Sequence, residues 1–215
     1  RVILTEGGSM TDIYVYNQLT KDNNGNIKVD QNGNLGITSS NTPVKVGNLD
    51  ADFNLGWINH FTYKGIDLGV VLSARVGGLA YSATQGILDY YGVSEVSASV
   101  RDNGGAPINN GKVDAQKYYQ TISTGEGGYG RYYLYSATNV RLQELSLNYT
   151  LPRKWFKNVA NVTLGVVGRN LWMIYCKAPF DPELSASTSS NYYMNVDYFM
   201  QPSLRNFGFN VKVQF

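Results

Sequence analysis

The sequence is poor in the residues that build most recognisable sites. One cysteine in 215 residues excludes an internal disulfide framework and a thiolate metal cluster, and one histidine excludes a multi-histidine centre. No run of 18 apolar residues occurs, so no helix long enough to span a bilayer is expected. Charged residues make up only 16% of the chain and nearly cancel at +2, which argues against a nucleic-acid binder with its concentrated Lys and Arg. His60 has no Ser or Cys nearby in sequence to complete a triad, so no enzyme activity and no cofactor are expected. The chain opens on Arg1 rather than Met and shows no signal peptide. Tyrosine (17) and glycine (23) are what it has in quantity. That balance suits an all-β chain with long polar loops. It suits a transmembrane barrel equally, because half of every barrel strand is polar.

The final stretch, SLRNFGFNVKVQF, is the most regular. Phe207, Phe209, Val211, Val213 and Phe215 alternate with Asn206, Gly208, Asn210, Lys212 and Gln214, the two-residue period of a strand with one apolar and one polar face. The same alternation predicts strands over 52–64, with Phe53, Leu55, Trp57, Phe61 and Tyr63 on one face, and over 66–76, with Ile66, Leu68, Val70, Leu72, Ala74 and Val76. A minimal turn at Gly65 joins these two strands. Two more strands fall over 138–151, with Leu145, Leu147, Tyr149 and Leu151, and over 161–174, with Val162, Leu164, Val166 and Trp172. Val140 and Leu142 break the parity of their strand, which predicts a bulge near Gln143 or an upper half standing clear of lipid. Each segment exceeds the usual soluble strand of about 5–6 residues and reaches the roughly 9–11 that a tilted barrel strand needs. Arg205 shares the apolar parity, yet lies about 24 Å above Phe215 at a tilt near 45°, at headgroup level.

Between these strands the chain is irregular. Residues 1–51 carry the turn dipeptides Asn24-Gly25 and Asn32-Gly33, with strand candidates at Ile13–Tyr16 and Ile27–Val29. Asp22, Asn24 and Asn26 have the odd-position oxygens of a calcium loop, but the glycine is displaced and no closing Glu follows, so a plain turn is expected. The loop 81–137 allows short helices over 85–91 and 114–119 and holds a glycine-rich run at 125–130. Its tyrosine pairs Tyr90-Tyr91, Tyr118-Tyr119 and Tyr132-Tyr133 offer either contact surface for a partner or sugar, or packing between loops. A second long loop covers 175–202.

Five crossings joined alternately by short turns and long loops cannot close a barrel, since single-chain barrels begin at eight strands. An open sheet edge in lipid leaves backbone groups unpaired at several kcal/mol each. The expectation is therefore the C-terminal piece of a larger barrel, with short turns and Phe215 in the periplasm and long loops outside. The segments KVGNLDADFNLGWINHFTYKGIDL, YLYSATNVRLQELSLNYTLP, VGRNLW, PFDPE and QPSLRNFGFNVKVQF, in this order, resemble the C-terminal end of SusC/RagA-type TonB-dependent transporters of Bacteroidetes. The resemblance implies a 22-strand barrel, an N-terminal plug absent from this chain, and a SusD-like lipoprotein lid on the extracellular loops. It also implies glycan or peptide import driven through TonB. The motif matches are Asp181-Pro182-Glu183 and Asn170-Leu171.

Inward parity makes His60, Asp67, Arg75 and Arg169 candidates for the substrate path, with Arg75 and Arg169 also able to hold a plug by charge pairing; solvated lumen charges are the plainer alternative. Tyr90, Tyr91, Tyr118, Tyr119, Asp181 and Glu183 are candidate extracellular contacts, although Asp-Pro also simply starts a turn. Cys176 reads as a buried or rim thiol, and Phe215 as the terminal aromatic of a barrel-assembly signal. A passive porin would share the wall physics, and a soluble carbohydrate-binding β-sandwich would share the alternation but prefer shorter, evenly spaced strands.

Overall fold

In the computed structural model of the chain, residues 2–123, 130–184 and 195–215 are described; the glycine-rich run at 125–129 and residues 185–194 of the second long loop lie outside them. In chain order come β1 (Asp12–Leu19), β2 (Ile37–Asn48), β3 (Phe53–Tyr63), β4 (Ile66–Val76) and β5 (Leu79–Ser82). They are followed by α1 (Ala83–Tyr90), α2 (Glu95–Asp102), β6 (Ala106–Ile108), β7 (Gly111–Val113), α3 (Ala115–Ser123) and β8 (Leu134–Ser136). The chain ends with β9 (Asn139–Thr150), β10 (Asn161–Cys176), β11 (Val196–Asp197) and β12 (Asn206–Gln214). Two units result, one from Ala51–Gly77, Ser136–Pro182 and Gln201–Phe215, the other from Arg1–Asp50, Gly78–Tyr135 and Glu183–Met200.

The first unit is one antiparallel sheet in the order β12-β10-β9-β4-β3. β3 and β4 meet through Lys64 and Gly65, both at positive φ (48° and 87°), the two-residue geometry whose twist matches that of paired strands. Lys64 adopts this conformation beside the glycine, so the turn has two residues rather than the single Gly65 expected. Register then aligns the apolar parity of all five strands. Phe61 faces Leu68, Leu68 faces Leu147, Leu147 faces Val166, and Val166 faces Phe209. The row below joins Tyr63, Ile66, Tyr149, Leu164 and Val211 in the same way.

The bulge expected near Gln143 is present: Val71 faces Glu144 while the next residue, Leu72, faces Leu142. The skipped residue returns Leu142 and Val140 to the apolar face, opposite Leu72 and Ala74. β10 carries an irregularity at the same height, where Asn170 has φ 53°, and this puts Trp172 beside Leu142. The upper row therefore reads Trp57, Leu72, Leu142, Trp172. β12 starts at Asn206, so Arg205 precedes the strand.

The second unit has its own core, built from Leu35, Ile108, Val113, Ala115, Tyr119, Ile122 and Tyr133. Its first part is more regular than the sequence suggested. Asp22-Asn23-Asn24-Gly25-Asn26 and Asp30-Gln31-Asn32-Gly33-Asn34 are two copies of one turn, eight residues apart. In each, Asp Oδ1 accepts from two backbone N–H groups: Asn24 (2.8 Å) and Asn26 (2.9 Å) in the first, Asn32 (2.8 Å) and Asn34 (2.7 Å) in the second. Only the glycine has positive φ, so these are three-residue loops with a left-handed glycine rather than two-residue Asn-Gly turns. Leu19, Ile27 and Leu35, at the same spacing, pack into the core. The residues after them close a ring of hydrogen bonds, from Lys28 N to Thr20 O, Gly36 N to Lys28 O and Thr20 N to Gly36 O. Lys28 is thus paired on both sides, and Ile27 and Val29 form isolated bridges, not the short strand expected there. The two predicted helices appear as α1 and α3; α2 is additional, with Ser94 capping it by accepting from Ser97 N.

Backbone N–H donors hold the Asp22 and Asp30 carboxyls below the ordinary carboxylate range. A carboxyl depressed in the folded state stabilises above its unfolded pKa, about 3.9, and the contribution is lost as pH falls through the lower folded value. Carboxyl carbon titration by NMR should therefore give both residues below-normal pKa values. Asp30→Ala should speed amide exchange at Asn32 and Asn34 at neutral pH, and unchanged exchange would refute the turn's dependence on the carboxylate.

Candidate functional site: the polar face of the sheet

The reverse face of the five-stranded sheet gathers side chains that would be costly in lipid. One row joins Thr62, Asp67, Asn148, Gly165 and Asn210, the next His60, Gly69, Ser146, Val167 and Gly208, and the next Ile58, Val71, Glu144, Arg169 and Asn206. Glycine makes the polar packing possible: a Cβ at Gly165 would stand 2.6 Å from Asn210 Oδ1, so only hydrogen fits between Asn148 and Asn210.

The four inward candidates share this face at different heights. Thr62 Oγ1 donates to Asp67 Oδ2 across the first hairpin (2.8 Å), and His60 faces Gly69 one row further on. Arg169 Nε donates to Glu144 Oε2 at 2.7 Å, an ion pair between directly opposed residues whose cationic partner stays exposed. Arg75 sits two rows beyond that pair, between Asn54 and Asn139. The structure thus places His60 and Asp67 near the short-turn end and the two arginines further along, with no direct bond among the four.

The densest polar cluster centres on Arg141, which the sequence reading did not single out. The bulge at Gln143 turns Arg141 to the polar face, opposite Ser73. Its guanidinium grips Asp181 in a forked geometry, Nη2 to Oδ1 at 2.7 Å and Nη1 to Oδ2 at 3.4 Å, with side chains only 4% and 8% exposed. Nη1 also reaches Asn170 Oδ1 (3.3 Å) and Nε reaches Asn139 Oδ1 (3.4 Å). Asn170 Nδ2 donates to Ser203 Oγ (2.8 Å) and Leu204 O (3.3 Å), while Ser203 Oγ donates to Asp181. The left-handed turn at Asn170 is what aims its amide along this line.

Four of the motif-bearing segments therefore meet at one ion pair: NVRLQEL through Arg141, VGRNLW through Asn170, PFDPE through Asp181 and QPSLRNF through Ser203. The available sequence signal was an Arg on a strand whose parity slipped two residues later. Asp181 spends its carboxylate here, and Glu183 is exposed. Among the tyrosines, Tyr119 is a core residue at 3% exposure and Tyr91 is 72% exposed. Tyr118 stands edge-on to Tyr132 at 6.3 Å, and Tyr90 edge-on to Tyr91 at 5.1 Å. The Asp22 carboxylate accepts from its own turn, including Asn26 Nδ2 at 3.3 Å. Phe215 lies just past β12 and is exposed.

No family model matches the sequence. Two curated proteins of Formosa agariphila do: TonB-dependent receptor P3, 27% identical over 201 residues covering 90% of this chain and 19% of the relative, and TonB-dependent receptor P39, 27% identical over 161 residues covering 72% and 15%. The chain thus spans about a fifth of the relatives' length or less. Among solved structures, the fold resembles the RagAB peptide importer in its "open-open" state (17% identity, 95% of this chain and 22% of that one, TM-score 0.54). It resembles the "closed-closed" state similarly (18%, 94% and 22%, 0.51).

Removing one partner of a buried ion pair strands a charge, at about 3–5 kcal/mol. Arg141→Ala should destabilise the refolded protein by roughly that amount in urea titrations. The double variant Arg141→Met/Asp181→Leu should lose less than the single one, and equal losses would contradict the pairing.

Proposed function

As a barrel segment of a SusC/RagA-type TonB-dependent outer-membrane transporter, the chain forms, we propose, part of the wall of an active importer for glycans or peptides. The observation that carries this reading is the five-strand row Phe61, Leu68, Leu147, Val166 and Phe209, with Phe209 70% exposed, backed by a polar face in the same register. Exposed apolar patches on soluble proteins rarely exceed a few hundred Å², whereas a barrel wall is apolar throughout its outer band. The ten-residue step from Phe53 to Tyr63 spans about 24 Å at a tilt near 45°, close to the roughly 25 Å apolar band. Among the described residues β3 and β12 each pair on one side only. Lipid tolerates no such edge, so further strands continue the sheet on both sides.

Both short connections, at Lys64-Gly65 and 151–160, leave the same end of the sheet, and β12 also finishes there. We assign that end, with Phe215, to the periplasm and the long connections to the exterior, following the habit of outer-membrane barrels. The polar face then lines the lumen. Arg169 with Glu144, and Arg75, are placed to meet a plug or passing cargo by charge. A SusD-like lipoprotein covers the outside, and TonB acts through parts of the transporter beyond this chain. Tyr90, Tyr91 and Glu183 are the exposed candidates for the lipoprotein contact.

Two measurements test the reading. Leu147→Arg puts a cation inside the apolar band and should cost stability in bilayers, up to the roughly 2–4 kcal/mol of a midplane site, while the same change at the adjacent Ser146 should cost far less; equal costs would contradict the lipid assignment. Cells carrying the intact transporter should lose uptake when TonB is deleted, and uptake that persists would favour a passive pore.

A further inference from the structure

The end of the sheet that carries both short connections is basic and nearly free of acid. Lys64 sits in the turn between β3 and β4, and Arg153, Lys154 and Lys157 sit in the 151–160 connection between β9 and β10. All four are exposed, and among the described residues none of them joins an ion pair. Over 60–67, 149–165 and 208–215 the one acidic side chain is Asp67, which stands on the polar face and accepts from Thr62. The two connections are neighbours: Gly65 O accepts from Thr150 N at 2.7 Å, and Pro152 follows two residues later.

The second connection is a self-contained turn. Its 3₁₀ segment covers Arg153–Phe156, with Trp155 N donating to Pro152 O (3.0 Å) and Asn158 N to Arg153 O (3.1 Å). Backbone needs are thus met internally, and the cationic side chains are left to solvent or a ligand. Trp155 is 70% exposed, an arrangement that suits the headgroup level of a bilayer better than open water. The apolar row Tyr63, Ile66, Tyr149, Leu164 and Val211 reaches this same rim. Lys64 Nζ lies 5.1 Å from the centre of the Tyr63 ring, which keeps its ammonium on the side of that row.

An occupant of this rim must bring negative charge to the turns and apolar length to the row. A free phosphate brings only the charge. A zwitterionic lipid brings the length, but its own cation opposes the four already there. We propose that the 151–160 turn, together with Lys64, docks the headgroup of an anionic phospholipid. Arg153 can present a fork to two phosphate oxygens, and the lysines supply point charges beside it. Acyl chains then run along the Tyr63–Val211 row. The proposal rests on reading the sheet as a barrel wall and adds a lipid of defined charge at the end assigned to the periplasm.

Photo-crosslinking on the intact transporter in lipid nanodiscs tests it, with adducts mapped by peptide mass spectrometry. The probes are photoactivatable phosphatidylglycerol and phosphatidylcholine, used at equal concentration. Phosphatidylglycerol should label the 151–160 segment in excess by roughly fivefold or more, the factor that one Lys or Arg beside an anionic lipid supplies. The triple variant Arg153→Gln/Lys154→Gln/Lys157→Gln should abolish that excess, and Lys64→Gln alone should reduce it. Glutamine keeps part of each apolar stem, so the turn retains its packing. Lys177→Gln, in the long connection after β10, should change nothing. Equal labelling by the two lipids would point to an acidic protein surface as occupant and overturn the proposal. An excess that survives the triple variant, or that falls on the segment around Lys177, would overturn it as well. Phosphatidylcholine adducts along β3, β4, β9 and β10 check the wall reading separately. Their absence would sink that reading, whereas their presence without any phosphatidylglycerol excess would sink only the headgroup site.

Discussion

A strand can meet lipid on one side and water on the other only if its register never slips, because a shift of one residue exchanges the two faces along its whole length. In hydrocarbon the penalty is doubled: polar side chains lose their solvent, and unpaired backbone groups find no substitute partner. The five-stranded sheet is organised around that constraint. Its rows stay in phase from Phe61 to Phe209, and where the chain runs irregularly, near Gln143 and Asn170, the two irregularities sit side by side and restore the phase together. The tight Lys64-Gly65 turn fixes the register of the first pair, from which the others follow through β4 and β9.

The same irregularities have a chemical consequence. Straight strands would have left Arg141 and Asn170 on the lipid face. Bulged, they deliver a guanidinium and an amide to the polar side, where a carboxylate from the 177–205 connection is held almost out of water. A buried ion pair offsets its desolvation only with good geometry and additional hydrogen bonds, and here Asn139, Asn170 and Ser203 supply them. The two ends of that connection, at Asp181 and Ser203, are tied to each other and to neighbouring strands. A long excursion of the chain therefore leaves and returns at a fixed point on the sheet.

The other unit solves a different problem, ordering loop-rich chain around one long hairpin, β1 with β2, and otherwise short elements. It relies on small residues with local hydrogen bonds, namely the paired Asp-led turns, the ring through Thr20, Lys28 and Gly36, and the serine-capped helices. Asn109 clamps the backbone of Ile27 from both sides, accepting from its N–H and donating to its carbonyl. Asp12, almost wholly buried, is held below the usual carboxylate range chiefly by Lys45 at 2.6 Å, with the Ser9 N–H assisting against the opposing effect of burial. Tyr133 donates its hydroxyl to Asp89 at the centre of the core, and burial pushes that hydroxyl's pKa well up, so it remains a donor at any ordinary pH.

Local pattern was enough to read the strands of the sheet, their two faces, the short first turn, the bulge and two of the three helices, because each depends on side chains within a few residues of one another. The calcium-like spacing at Asp22 was also legible as a turn, although its repetition at Asp30 passed unread as two separate dipeptides. What the sequence could not supply was partnership across distance. Arg141 finds Asp181 forty residues away, and Asn170 finds Ser203 thirty-three away. Residues from three helices close one cavity. Alternation records which side of a strand a residue occupies but not what stands opposite it. That depends on how the backbone is folded back, and only the assembled sheet and core decide it.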